Sequence, residues 1–210
     1  MAERRKQEPR KVVLNKALQH TQFFRTPQGE AYASFVQQNR IEHFPIESRE
    51  YQKYLTAICT NGMVTNLNLT RYIKEVCFGI ASTIEMQNEF YGQKIVEAEV
   101  FTRVAWLGEN LVIDLADKEG NCILVTKNGW SVEQNEFVRF ARSKKIAPYP
   151  YPQKGDGIKE FRNIANFTRE QFALAWTWMV QCFMPSDIYP IVNMTAVSYT
   201  HLRAHETSLH

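Results

Sequence analysis

Apolar residues recur with helix and strand periods in turn through the first part of the chain. Helix spacing over residues 11–24 predicts a short helix, which the Pro and Gly of TPQG at 26–29 should end. Two β-prone runs follow, AYASFVQ and RIEHFPI, and the QN between them predicts a hairpin whose second strand stops at Pro45. Ser48 is a good N-cap for SREYQKYLTAICTNG, so the predicted order is hairpin and then helix.

The middle of the chain changes from a helical period to a strand period. The clearest amphipathic helix is predicted from Asn68 to Tyr91, and Gly92 should end it. From Ile95 the hydrophobic period becomes two. The runs NLVIDLAD, CILVTK and WSVEQ, preceded by the turn signals LGEN, KEGN and NG, predict three or four antiparallel strands.

A proline-rich stretch separates this part from the rest of the chain. The sequence APYPYPQKGDG, near 147–157, is incompatible with the interior of a sheet and predicts an extended connector. Thr168 should cap the helix TREQFALAWTWMVQCFM, which is apolar on most sides and therefore requires burial between neighbours. The run IYPIVNM predicts a short strand that enters the middle of a sheet.

These patterns predict an α+β fold built from a hairpin, helices and a small antiparallel sheet. We expect residues 1–17 to form a basic flexible arm and residues 18–146 to form an α+β accessory domain. Residues 147–157 are the predicted connector. Residues 158–195 would begin a second domain with one helix and one strand.

Composition and charge narrow the function classes only slightly. The 210 residues carry a formal net charge of +3, which is too small to indicate a polyanion partner by itself. The four cysteines form no C-x-x-C pair, which argues against a zinc site and against a secreted disulfide scaffold. Because no apolar segment suits a signal peptide or a membrane span, we expect a cytoplasmic protein without a membrane partner.

Cations and aromatic residues alternate between positions 137 and 151. The candidate nucleic-acid residues are Arg139, Arg142, Lys144 and Lys145, interleaved with Phe137, Phe140, Tyr149 and Tyr151. Such a set could stack on the bases of a single strand and neutralise its phosphates. The alternative is an edge strand whose phenylalanines face the core and whose cations face water. The sequence leaves both interpretations open.

Carboxylates and histidines give weaker candidates for chemistry. Asp114 and Asp117 could form a metal-binding pair, although Asp at the end of a strand more often forms a turn. His20 and His43 have no nearby Ser or Cys nucleophile pattern, so we expect surface or packing roles for both. We therefore identify no catalytic residue, no cofactor-binding residue and no metal ligand in residues 1–195.

The end of the chain follows neither a helix period nor a strand period. His201, His205 and His210 suggest a metal site, but no apolar residue would hold such a helix in place. The segment VSYTHLRAHET, residues 197–207, instead resembles the in-frame translation of a transposon-type sequencing adapter. We therefore expect residues 196–210 to be non-native and the natural gene to be interrupted near Thr195.

Several motifs occur in a characteristic order from Leu18 to Thr195. The most specific are TPQGEAY, then PIESREYQKYL, then the strands from NGWSV to FVRFAR, and the less specific IYPIVNMT comes last in the order. In this order they resemble a region of ATP-binding proteins of phages, plasmids and mobile elements, which are primase–helicase-like replicative P-loop ATPases. In that family the last strand leads into a Walker A loop, G-x-x-x-x-G-K-[ST]. Here AVSYTHLRAHET follows, with neither a glycine nor the P-loop lysine.

The resemblance implies a role at the level of the intact protein. Residues 158–195 would be the start of a P-loop α/β ATPase domain that is interrupted just before Walker A. The intact protein would bind ATP and Mg²⁺, act on DNA in replication, and self-associate, whereas this chain would neither bind ATP tightly nor hydrolyse it. Residues 18–146 would position the motor on DNA, mediate assembly, or only pack against it. The alternative is a small DNA-binding regulator, and enzymatic activity stays open.

Overall fold

The computed structural model describes residues 8–37, 39–60, 67–142, 146–165, 167–184 and 191–193. The chain divides into two units between Tyr151 and Pro152, at a point inside the predicted proline-rich connector. Both helices and mixed sheets are present, so the predicted α+β class is confirmed. The segments Lys144–Lys145, 196–210 and most of IYPIVNM lie outside the described residues, and the described 191–193 are not a strand.

The first unit begins with a four-stranded sheet that has helices on one face. Its helices are α1 Pro9–His20, α2 Arg49–Thr60 and α3 Leu67–Met86, and its strands are β1 Gln22–Arg25, β2 Ala31–Gln37, β3 Arg40–Pro45 and β6 Val96–Glu97. The order across the sheet is β3-β2-β1-β6, and only the β1–β6 pair is parallel. The predicted hairpin is confirmed, since Gln37 pairs with Arg40.

The main core lies between this sheet and the three helices. Alternate strand residues face the helices, among them Phe23 and Phe35, both almost fully buried. Phe35 stacks on Tyr54 of α2 with ring centroids 4.0 Å apart, and Tyr51 and Leu55 of the same helix are fully buried. Burying each such side chain contributes about 1.5–3 kcal/mol. The predicted cap of α2 is confirmed, because the Tyr51 amide donates to Ser48 Oγ at 3.2 Å.

The arm predicted over residues 1–17 is corrected for residues 9–17. These residues form most of α1, and Val13 and Ala17 are buried in the main core. A basic composition does not keep a segment flexible when its apolar residues lie on one helical face. Residues 1–7 lie outside the described residues.

Helix α3 ends at Met86, five residues before the predicted end at Tyr91. The Arg25 guanidinium donates to the carbonyls of Ile84 and Glu85, both at 3.3 Å, and so satisfies the last turn of the helix. The chain then makes a small hairpin, β4 Glu89–Phe90 and β5 Gln93–Lys94. Gly92, with φ of 79°, therefore serves the turn of this hairpin and not the end of the helix.

A second four-stranded sheet follows in the same unit. Its strands are β7 Val104–Leu107, β8 Asn110–Asp114, β9 Asn121–Thr126 and β10 Gly129–Gln134, all antiparallel in the order β10-β9-β8-β7. The antiparallel strands predicted here are confirmed. Val138 and Phe140 complete a smaller core on one face of this sheet. FVRFAR is not an edge strand, because only Phe140 forms a bridge, to Phe101.

The second unit contains two helices, α4 Gly157–Ala165 and α5 Arg169–Gln181. Helix α5 was predicted, and its cap is a complete capping box in which Thr168 and Gln171 bond each other's backbone at 3.2 and 3.0 Å. Helix α4 was not predicted, although its nine residues form an amphipathic pattern. No residue of this unit whose burial is described is buried, and Leu174 of α5 is 73% exposed.

Candidate functional site

The first sheet carries one polar row between two apolar rows on the face opposite the helices. Cross-strand partners share a face, so the register places Gln22, Ser34 and His43 in one row, Phe24 with Tyr32 on one side of it, and Val36 with Ile41 on the other. Ser34 and His43 are buried, whereas Val36 and Ile41 are exposed. We call this surface the helix-free face.

A groove of about 590 Å³ lies between the helix-free face and the segment 134–142. This volume suits a small ligand. Arg139 is half-buried there, and its guanidinium lies over the Phe24 ring, 5.0 Å from the centroid. Glu119 and Glu136 also border the groove but are exposed, so they form an acidic rim.

Ser34 and His43 form a hydrogen-bonded pair in the floor of the groove. Ser34 Oγ and His43 Nδ1 are 2.9 Å apart. Burial, with the charges of Arg139 and Arg142, lowers the pKa of His43 to about 4, so the ring is neutral at pH 7. This pair was not predicted from the sequence. The signal was the predicted hairpin itself, because pairing Gln37 with Arg40 places Ser34 opposite His43.

Arg142 is not available to a nucleic acid, which corrects one of the four predicted contacts. Its Nε and Nη2 donate to the two oxygens of Asp114, both at 2.7 Å, and Asp114 is fully buried. Glu42 Oε2 lies 3.8 Å from Nη1 of the same guanidinium. Burial alone would lower the pKa of Arg142, but the hydrogen bonds and charge of Asp114, with the charge of Glu42, raise it.

Two further contacts extend this ion-pair network to the edge of the first sheet. Arg40 Nε donates to Glu42 Oε1 at 2.5 Å, and Arg40 also donates to the carbonyl of Asp117. Glu42 Oε2 has no hydrogen-bond partner among the described residues, although it is buried and faces Arg142. The network therefore connects β3 of the first sheet with β8, and with the loop after β8, in the second sheet.

The described members that remain in the predicted nucleic-acid set are dispersed, and Lys144 and Lys145 lie outside the described residues. Phe137 and Arg139 border the groove, whereas Phe140 is buried in the smaller core. Tyr149 lies under the Arg103 guanidinium, 4.0 Å from ring centroid to carbon, and Tyr151 donates from its hydroxyl to Asp117 at 3.2 Å. The alternative of an edge strand with its phenylalanines in the core and its cations in water is wrong, since Phe137 is exposed and Arg142 is buried.

Asp117 confirms the turn prediction, but Asp114 does not. The Asn121 amide donates to Asp117 Oδ1 at 2.8 Å, which closes the loop between β8 and β9. Burial acts to raise the pKa of Asp117, but hydrogen bonds from Asn121, Tyr151 and Gly120 outweigh it, so the pKa is lowered. In the part of the chain that the structure describes, no three His, Cys, Asp or Glu side chains are placed to hold a metal ion.

Comparisons with known proteins give no identification. No protein-family model matches the chain, and neither a curated protein nor a solved structure is significantly similar to it. Among the described helices, none combines the length and apolar character needed to cross a membrane.

Replacing Arg142 with Met should destabilise the first unit strongly. The substitution leaves the buried carboxylate of Asp114 without its counter-charge, so we expect the free energy of unfolding to fall by about 3–5 kcal/mol in urea denaturation. Arg49→Met is the matched control, because Arg49 is exposed on α2, and it should change stability by no more than about 0.5 kcal/mol. An equal loss of unfolding free energy in the two variants would contradict the stabilising role of the buried Arg142–Asp114 pair.

Stability should depend on pH through His43. The folded pKa of about 4 lies below the ordinary histidine pKa of 6.5, so the unfolded state binds more protons between these values. Stability is therefore complete above about pH 6.5 and decreases as the pH falls towards about 4. Relative to His43→Gln, the wild type should lose about 3 kcal/mol of unfolding free energy between pH 7 and pH 4. Parallel pH profiles, or an NMR titration midpoint near that of a free histidine, would contradict this expectation.

Proposed function

We propose that the chain is the accessory region of a mobile-element ATPase that acts in DNA replication, and that its first unit supports and positions the motor without binding DNA tightly. The motif order from TPQGEAY to IYPIVNMT supports the family. The main observation in favour of the supporting role is the buried ion pair of Arg142 with Asp114. This pair neutralises a cation that a DNA-binding surface would need.

The charge around the groove favours support over tight DNA binding. Three arginines border it, but Arg40 and Arg142 are paired with carboxylates. Among the described residues, only Arg139 of these three has no carboxylate within 4.0 Å, and the rim adds Glu119 and Glu136. Affinity for a polyanion depends on several uncompensated cations, so this surface offers little.

Hydrogen bonds and ion pairs connect the elements of the first unit, as expected of a rigid supporting domain. Arg25 joins the end of α3 to β1, and it also bonds Asn88 and Glu97 at 3.1 and 3.2 Å. The Arg142 network joins the two sheets through β3 and β8. The bidentate pair with Asp114 fixes the Arg142 side chain on the second sheet. Arg142 then contacts Glu42 at 3.8 Å and the Ile41 carbonyl at 3.5 Å, and these contacts hold the first sheet against the second.

The Ser34–His43 pair does not favour hydrolysis. A nucleophilic serine needs a base that is itself oriented by a third group, commonly a carboxylate. No described carboxylate hydrogen-bonds His43. In this proposal, ATP and Mg²⁺ belong to the P-loop of the intact protein and not to the residues described.

The salt dependence of DNA binding tests the supporting role. Fluorescence anisotropy of labelled single-stranded and duplex DNA should show weak binding to the full chain, with a slope of log affinity against log salt no steeper than about −2. Lys144→Gln/Lys145→Gln should behave like the matched control Lys118→Gln/Lys127→Gln. A slope of several units that only the first pair of substitutions reduces would favour the DNA-binding regulator instead.

Sequencing the gene beyond the codons for IVNMT tests the proposed membership of the ATPase family. Long-read sequencing of the locus is expected to read from IVNMT directly into codons for a G-x-x-x-x-G-K-[ST] loop, because the phosphate-binding loop follows the first strand in P-loop proteins. Sequence after IVNMT that encodes no such loop would refute the ATPase assignment.

A further inference from the structure

Arg139 is a half-buried cation that no described carboxylate neutralises. Its side chain packs on Phe24, and its carbonyl accepts a hydrogen bond from the Phe101 amide at 2.9 Å, so its position is fixed from both sides. Removing a guanidinium from water is costly unless an anion or hydrogen-bond acceptors replace the solvent. The site therefore favours an anionic group in the groove.

Neutral hydrogen-bonding groups border the same groove. His43 is neutral, so when the Ser34 hydroxyl donates to Nδ1, the ring proton of His43 is on Nε2. Nε2 has no described hydrogen-bond partner and is not fully buried, so it can donate to a ligand in the groove. The side-chain amides of Gln22 and Gln134 border the groove without a described hydrogen-bond partner. Asn135 differs, because it is occupied by Val138 and the Phe137 amide.

The rim selects a small ligand over a long one. A nucleic-acid strand crossing the groove would pass the carboxylates of Glu119 and Glu136, which repel its phosphates. A single phosphate would instead lie at the Arg139 guanidinium, which packs over the Phe24 ring. Phe137, Val36 and Ile41 are exposed at 53%, 67% and 55%, and they offer apolar surface for a ring attached to that phosphate.

We propose that this groove binds a small ligand consisting of one phosphate group attached to a flat ring system, such as a mononucleotide. Arg139 anchors the phosphate, the Ser34–His43 pair and the two glutamine amides add neutral hydrogen bonds, and the exposed apolar residues contact the ring. This inference is independent of the proposed supporting role, since it requires neither DNA nor an ATPase domain.

NMR titration of the full ¹⁵N-labelled chain tests the proposal with three probes: deoxyadenosine 5′-monophosphate, inorganic phosphate and deoxyadenosine. The monophosphate should produce saturable shifts at groove residues, inorganic phosphate should bind more weakly, and deoxyadenosine should bind at least about tenfold more weakly than the monophosphate. Deoxyadenosine binding as tightly as the monophosphate would overturn the phosphate anchor.

Variants locate the binding. Arg139→Gln should weaken monophosphate binding at least about tenfold, and Arg139→Lys, which keeps the charge but loses the planar fork, should weaken it less. Arg49→Gln removes the same charge from the exposed surface of α2 and should leave the affinity unchanged. The ¹⁵N spectrum of each variant reports whether it is folded. Absence of saturable shifts in the wild type, or equal weakening by Arg139→Gln and Arg49→Gln, would overturn the proposal.

Discussion

The bidentate ion pair between Arg142 and Asp114 determines how the first unit is arranged. Asp114 is fully buried and Arg142 nearly so, and a buried charge is tolerated only when its partner is held in good geometry. To reach Asp114, the chain after β10 must return along the second sheet, which buries Phe140 and brings Arg139 onto Phe24. The groove on the helix-free face is a consequence of that path.

The same network protects an exposed sheet edge. Strand β3 lies at the edge of the first sheet, where unpaired backbone groups invite association with other strands. Arg142 approaches the Ile41 carbonyl at 3.5 Å, and Arg40 on this strand bonds Glu42 and the Asp117 carbonyl. Charges that a DNA-binding surface would display are thereby paired within the first unit, and this pairing favours the proposed supporting role.

The second unit differs from the first because it has secondary structure without a described core. Helix α5 is apolar on most sides and well capped by Thr168, yet Leu174 and Trp176 remain exposed at 73% and 40%. A capping box determines where a helix begins, but only packing decides which of its faces is buried. In the proposed function, the sheet of an ATPase domain would provide that packing.

Features that depend on neighbouring residues could be predicted from the amino-acid sequence. The hairpin of β2 and β3, the cap of α2 at Ser48 and the strands of the second sheet follow from local periods, caps and turn residues. Even the Ser34–His43 pair was implicit in the hairpin register. The early end of α3 was not, because it depends on Arg25, about 60 residues earlier in the chain.

The roles of the two arginines in the segment 137–142 could be seen only in the tertiary structure. The sequence shows arginines and phenylalanines there, but not which arginine is neutralised, since the partner of Arg142 lies 28 residues away and the Ile41 carbonyl 101 residues away. Whether a cation faces water or a buried carboxylate depends on which distant strands meet, and local patterns carry no information about that pairing. Arg139 and Arg142, three residues apart, therefore have different roles.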